Sequence, residues 1–193
     1  MTIDMHSHWR PPALKDALRA RNTPPLIEPG DDGVEVLRTR RGTDPVDKAF
    51  DNLDDRLAVM DRRGISTTVL SLLGGFQWIE RLPVEESLPL VRLFNDEVSA
   101  IAEAHPGRFA AYASLPQSDM DAAVAEFDRA MNLPGIVGAI LPGNAFMTHE
   151  DVEAYRPILA AANRHRALIF IHWGPRPGDK WPRVMVGADN FSP

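Results

Sequence analysis

Five short, nearly continuous apolar runs alternate with amphipathic helical patterns, and this alternation constrains the fold of the chain more than any other feature. The runs are residues 2–6, 67–72, 109–114, 136–140 and 168–172. Strands that are apolar on both faces belong to parallel sheets covered by helices. Between the first two runs, Asn52 or Asp51 can cap a helix reaching about Arg63, with Leu53, Leu57 and Met60 on one face. Asp54 and Asp55 suit its positive end, Arg62 and Arg63 its negative end, and Gly64 its stop. A second helix is expected over about 86–104, with Leu90, Phe94, Val98 and Ile101 on its stripe. Ser118-Asp119-Met120-Asp121 resembles a capping box that opens a helix burying Val124, Phe127 and Met131. Thr148 to Asp151 predicts a short turn, followed by a helix from Pro157 to about His165. Strand–helix–strand alternation of this kind implies an α/β fold with right-handed crossovers onto one parallel sheet.

Residues 10–50 interrupt the pattern with a stretch rich in arginine, proline and glycine. It reads as an insertion after the first strand, with a short helix over about 12–21 and a hairpin over 34–40. Such an excursion more often shapes a site than fills a core. The chain has no cysteine, which excludes thiol catalysis and thiolate metal sites, so any metal must be held by histidine and carboxylate. Its net charge of −6 argues against nucleic acid as a partner. No aliphatic or aromatic run exceeds five residues, as in 167–171, so no membrane partner is expected. Residues 1–12 lack the apolar segment of a secretory signal, and the expected location is cytoplasmic.

The chemical feature that stands out is the placement of three histidines. His6 and His8 flank Ser7 at the end of the first strand, where residues i and i+2 share a face about 6.5–7 Å apart along the backbone. Two imidazoles so placed can converge on one cation at about 2.0–2.1 Å per nitrogen. An HxH pair alone is more often a pair of polar strand-end or loop residues, but His172 ends the most apolar strand and is followed at once by Trp173-Gly174-Pro175. If the strands are parallel, their C-terminal ends form one rim, and all three histidines face the same mouth. Such a set would bind a divalent metal, with zinc, manganese, iron and nickel all suited to imidazole. His105, His149 and His165 sit at helix ends and read as surface residues.

Ile3-Asp4-Met5-His6-Ser7-His8 resembles the opening of the amidohydrolase superfamily. The chain is most similar to the amidohydrolase-related branch that contains aminocarboxymuconate-semialdehyde decarboxylase and related aromatic-acid decarboxylases and hydrolases. Asp55-Arg56-Leu57, Met60-Asp61, Gly64-Ile65 and Val69-Leu70-Ser71 follow that branch in order, as do Asn95-Asp96-Glu97, Pro106-Gly107-Arg108-Phe109 and Ala113-Ser114-Leu115-Pro116-Gln117. Ile169-Phe170-Ile171-His172 matches its fifth-strand ligand, so the resemblance extends over residues 3–174.

The resemblance implies a TIM-barrel-like (β/α)8 fold with a mononuclear metal at the strand C-termini. Carried over residue by residue, only His6, His8 and His172 have positions as ligands. The family's strand-six His and strand-eight Asp have no counterpart before Pro193, and Asp189 reads as an ordinary loop residue. The chain is therefore expected to form one incomplete barrel domain over 1–193, about five βα units of eight, with the insertion at about 10–50. An open barrel piece exposes two sheet edges, so a longer natural chain or a homodimer that covers them is expected. The implied activity is that of a metal-dependent decarboxylase (carboxy-lyase) or hydrolase acting on a small unsaturated or aromatic carboxylate, with zinc as the expected ion. The other reading is a non-catalytic, fragmentary barrel that binds metal or a partner without the catalytic Asp and His. Arg38, Arg40 and Arg41 lie where the branch places an arginine on the substrate carboxylate, although a solvated surface accounts for them slightly better. Trp9 and Trp173 either wall the pocket or pack as loop residues, and Asn144 is a candidate for lining the mouth.

Overall fold

Each of the five apolar runs forms a strand, and together they make one parallel sheet. In the computed structural model, which describes residues 1–31, 33–40, 42–46, 51–174 and 176–177, the strands of this sheet are β1 (Ile3–Trp9), β5 (Thr67–Leu72), β6 (Phe109–Ala113), β7 (Ile136–Pro142) and β8 (Leu168–His172). They lie in the order β1-β5-β6-β7-β8. Arg41 and Asp189 lie outside the described residues. The register aligns His8 with Ser71 at one edge and Pro142 with His172 at the other, so the strand C-termini end on one rim.

The sheet is strongly curled. Five strands spaced about 4.8 Å apart would set β1 and β8 about 19 Å apart if flat. Instead the rings of His6 and His172, on opposite edges, have centroids 5.1 Å apart. This is a half-barrel with a concave and a convex face. Val69, Tyr112 and Ile140 pack on the concave side with Ala110, Val137 and Phe170. The alternate residues Leu70, Leu72, Ala111, Ala113, Ala139 and Leu141 face the helices and join the larger core.

Those helices are α2 (Leu53–Arg63), α3 (Val84–Ala104), α4 (Met120–Ala130), α5 (His149–Ala154) and α6 (Arg156–His165). The side chain of Asn52 accepts the Asp55 N–H at 3.1 Å to start α2, and Gly64 ends it in the left-handed region at φ 66°. At α4 the capping residue is Asp119, whose carboxylate accepts the Ala122 N–H at 2.9 Å, while the Ser118 hydroxyl donates instead to the Leu82 carbonyl. Phe127 is fully buried, whereas Val124 and Met131 are only half-buried at the edge of the core. Thr148 caps α5, and the chain breaks at Tyr155 before Pro157 can enter the first turn of α6.

The segment after β1 carries α1 (Pro12–Arg19) and a second sheet of β2 (Leu26–Pro29), β3 (Glu35–Arg38) and β4 (Thr43–Pro45) in antiparallel order. The expected hairpin over 34–40 is corrected here: 35–38 is the central strand of a three-stranded meander, because Leu26 and Ile27 are also apolar enough to bury. Arg19 donates to both carboxylate oxygens of Glu35 at 2.6 and 2.7 Å, and Leu14, Leu18, Ile27 and Leu37 join the main core. The insertion is thereby fixed against the rim of the larger sheet. No described helix is long and apolar enough to cross a membrane.

Gly138 determines how closely β8 approaches. A Cβ there would stand 1.9 Å from the Leu168 carbonyl oxygen, a backbone atom in the adjoining strand. Gly138→Ala is expected to destabilise the fold by about 1–3 kcal/mol, because the strand carrying His172 must shift. Urea denaturation checks this, and an unchanged midpoint would show that the strands can part without cost.

Candidate metal centre and cavity

The three histidines converge. The side-chain nitrogens of His6, His8 and His172 that could hold an ion all lie within 4.8 Å of one another. Nε2 of His6 and Nε2 of His8 are 3.2 Å apart. Two nitrogens on one tetrahedral ion, each at about 2.0–2.1 Å, stand about 3.3 Å apart, so the pair fits a shared cation closely. Phe170 forms the floor, with its ring centroid 5.0 Å from that of His6 and 5.5 Å from that of His172. Tyr112 stacks beneath Phe170 at 5.1 Å.

The hydrogen bonds around the rings fix their tautomers. The Ser71 hydroxyl donates to the Ser7 carbonyl at 3.1 Å, so toward His8 Nδ1, 3.0 Å away, it must act as acceptor. His172 Nδ1 lies 3.0 Å from the Trp173 carbonyl, which can only accept. In both rings Nδ1 therefore carries the hydrogen and the Nε2 lone pair is left for a cation, the arrangement in which outer partners orient metal-binding imidazoles. Burial, with His172 and His6 adding to it, lowers the pKa of His8 to about 4, and burial also lowers that of His172. Both rings are thus held in the neutral form that ligation needs. The donor set and its spacing fit a divalent ion.

His172 also belongs to the wall of a cavity of about 280 Å³. Arg10, Phe76, Trp78, Arg81 and Trp173 line it with His172, and Leu37, Asp44 and Pro45 of the insertion close one side. Arg10 is almost fully buried, its guanidinium 5.6 Å from the Phe76 ring centroid and 3.9 Å from Asp51. The Arg81 guanidinium lies over Trp78 at 5.0 Å and donates to the Gln77 carbonyl at 2.7 Å.

The other expected site residues divide. Trp173 lies at the cavity, half-exposed. Trp9 is corrected: with His8 facing inward, its neighbour must face outward, and its buried indole donates to Glu97 at 3.0 Å. Asn144 is buried behind the rim, where its N–H donates to the Gly174 carbonyl at 3.1 Å and supports the turn after β8. Arg38 is also corrected: Leu37 takes the cavity side of β3, leaving Arg38 paired with Glu28 on the exposed side. Arg40 lines a narrower cleft beside Arg81 and Arg176. The arginines at the cavity are Arg10 and Arg81. The first was detectable as the rim residue directly after His8-Trp9, and the second by its place after β5, where strand C-termini give way to site-forming segments.

A family model described as "Amidohydrolase" matches residues 3–190. The chain belongs to the amidohydrolase family. It is 34% identical over 162 residues to decarboxylase orsB of Emericella nidulans, covering 82% of this chain and 45% of that protein. It is 31% identical over 132 residues to a gamma-resorcylate decarboxylase of Rhizobium radiobacter, covering 65% of this chain and 40% of the relative. Among solved structures, the 2,6-dihydroxybenzoate decarboxylase from Rhizobium superposes with a TM-score of 0.62 at 26% identity, over 93% of this chain and 52% of that one. The chain therefore spans about half the length of the relatives it matches.

The 3-10 segment Gly74–Arg81 that carries Gln77, Trp78 and Arg81 is anchored from behind by Glu80. Its carboxylate is fully buried and accepts from the Ser114 hydroxyl and, at 2.7 Å, from Gln117 Nε2. Burial raises its pKa from 4.5 to about 7, against the opposing pull of Arg81 and these donors. Between pH 4.5 and 7 the folded chain thus keeps a proton that the unfolded chain has lost, and stability falls as pH rises through that window. Glu80→Gln removes this contribution. The stability of the variant relative to the parent is expected to rise as pH goes from 4.5 to 7 and to level off above it. Denaturant titrations at several pH values test this, and a difference independent of pH would contradict it.

Proposed function

We propose that this chain contributes the metal-binding part of a centre that decarboxylates a small aromatic carboxylate. The observation that carries the reading is the double place of His172, which joins His6 and His8 in one cluster and also forms the wall of the cavity. Its support comes from family membership and from relatives that are decarboxylases of aromatic acids.

In this reading His6, His8 and His172 hold a divalent ion, with zinc expected and manganese, iron or nickel compatible with imidazole ligands. The bound ion would orient substrate oxygens and stabilise negative charge as CO2 departs. The residues of the chain perform the rest. Arg10 and Arg81 place fixed positive charge at the cavity, and a planar guanidinium suits an oxyanion. Phe76, Trp78 and Trp173 give it flat apolar walls that accept a ring and exclude water. A carboxylate stripped of water loses CO2 more readily; the carbon–carbon bond breaks, its electron pair stays on the ring carbon, and a proton replaces the lost group. Ser71 and the Trp173 carbonyl keep the imidazole lone pairs directed at the ion throughout.

The test pairs metal binding with turnover. Chelator-treated protein is expected to bind one equivalent of Zn2+ or Mn2+, and His172→Ala to weaken binding about 100-fold or more by removing one of three ligands. Release of CO2 from 2,6-dihydroxybenzoate should require the added metal. Unchanged affinity in His172→Ala would sink the three-histidine site, whereas metal-loaded protein that neither binds 2,6-dihydroxybenzoate nor releases CO2 from it would sink the decarboxylase reading alone.

A further inference from the structure

In a regular strand residues i and i+2 share a face, and their side chains must lean together to reach one ion. Side chains two apart stand about 6.5–7 Å from each other along the backbone. In β1, however, the rings of His6 and His8 meet edge-to-face with centroids 5.0 Å apart and Nε2 atoms at 3.2 Å. The backbone that carries the two histidines is not regular. Asp4 pairs with Thr68 and Ser7 with Leu70, so β1 advances three residues while β5 advances two. The extra residue is a β-bulge, a device that re-aims a side chain at the expense of regular pairing. Inside the bulge, the His6 N–H is satisfied by the Asp4 carboxylate at 3.1 Å.

One side chain from another element reaches this irregular strand from its convex side. Arg56 of α2 donates through Nη1 to the Ser7 hydroxyl and through Nη2 to the His8 carbonyl at 2.6 Å. Its guanidinium lies 5.8 Å from the centroid of the Trp9 ring. We propose that Arg56 is a positioning residue for the metal site, clamping β1 at Ser7 and His8 so that the bulge holds the two imidazoles at ligand spacing. The clamp has an inner counterpart in Ser71, which takes the Ser7 carbonyl and His8 Nδ1. Ser7 and His8 are thus gripped from both faces of the sheet.

The chemistry of Arg56 favours this role over plain packing. The side chain is half-buried, and its Nε is a buried donor with no hydrogen-bond partner. An apolar residue of similar length would fill the same space without desolvating a charge, which is often neutral or stabilising. What only a guanidinium supplies is two donors in a rigid fork, matched here to a hydroxyl and a carbonyl on successive residues.

The inference rests on the metal reading above, and the experiment separates the two. Co2+ is titrated into the full chain, with affinity and the visible absorption of the bound ion as readouts. Arg56→Met should weaken Co2+ binding about 10–100-fold, the usual effect of losing an outer partner of a ligand, and should alter the absorption bands. Arg56→Lys, which keeps a single donor head, should recover part of the affinity. Far-UV circular dichroism of the metal-free variants should match the parent, so that the loss is one of ligand geometry. Should Arg56→Met fail to fold, Ser7→Ala and Arg56→Lys decide, each expected to bind less tightly than the parent. Parental affinity and spectrum in a folded Arg56→Met, or in both substitutes, would overturn the clamp while leaving the metal site standing. A parent chain that takes up no Co2+ would overturn the site itself, and the clamp with it.

Discussion

The curl of the parallel sheet is the constraint on which the site depends. His6 and His8 sit on one edge strand and His172 on the other, so in a flat sheet no ion could touch all three. The two faces of the sheet are built unequally. The strands present Ala111, Ala113 and Ala139 to the helices, while those helices contribute Phe94, Phe127 and Ile158 to the same core. Small residues on the strands let bulky helix residues approach closely, and the sheet bends away from that thick layer. The concave side is filled by few side chains, with Tyr112 of β6 and Phe170 of β8 stacked across the intervening β7. Packing on both faces thus converts a strand order into a three-residue cluster.

A second layer of order is polar. Asn95 of α3 is fully buried, accepts the Ser114 N–H at 2.8 Å and donates to the Ser114 carbonyl at 3.0 Å, like a missing strand partner beyond the end of β6. It also donates to Glu126 at 2.8 Å, which Arg92 and Arg129 hold from the surface. Ser114 in turn donates to Glu80, and Gln117 links Glu80 to the Tyr155 hydroxyl. A satisfied buried network fixes geometry because each member left alone would be costly. Here it joins α3, α4 and α6 to the segment that lines the cavity, and so couples the wall of the site to the rigid body of the half-barrel.

These layers were unequally legible. β5 and β8 are legible to the residue, because runs of five or six β-branched and aliphatic residues bounded by turn signals are too short for a buried helix. The three histidines were found because strand ends on one rim need only the parallel order to be brought together. The place of Arg38 is not legible, because an insertion with its own sheet carries no periodicity relating it to the cavity: Leu37 faces inward and Arg38 outward, a parity fixed only by pairing with β2. Trp9 fell to the alternation that placed His8, since a bulge earlier in the strand does not change which faces those two neighbours take. Asn95-Asp96-Glu97 looked like a family signature without evident chemistry. It proves to be three structural contacts, to Ser114, Arg129 and Trp9.

Net charge is a property of the whole surface and says little about one cavity. The chain carries −6 overall, yet the space beside His172 is lined by two guanidinium groups, with Asp44 also in its lining and Asp51 3.9 Å from Arg10. Low-dielectric walls of Phe76, Trp78 and Trp173 carry that field further than water would. For the anionic substrate proposed above, this arrangement separates two tasks. An acidic exterior keeps general anion binding weak, while the cavity supplies attraction only where the ring can also be stacked. Neutral imidazoles suit the same division, because His8 and His172 add no charge of their own and leave the sign of the site to the arginines and to the ion proposed above. Under that proposal, selectivity for a flat carboxylate would follow from requiring both features in one 280 Å³ space.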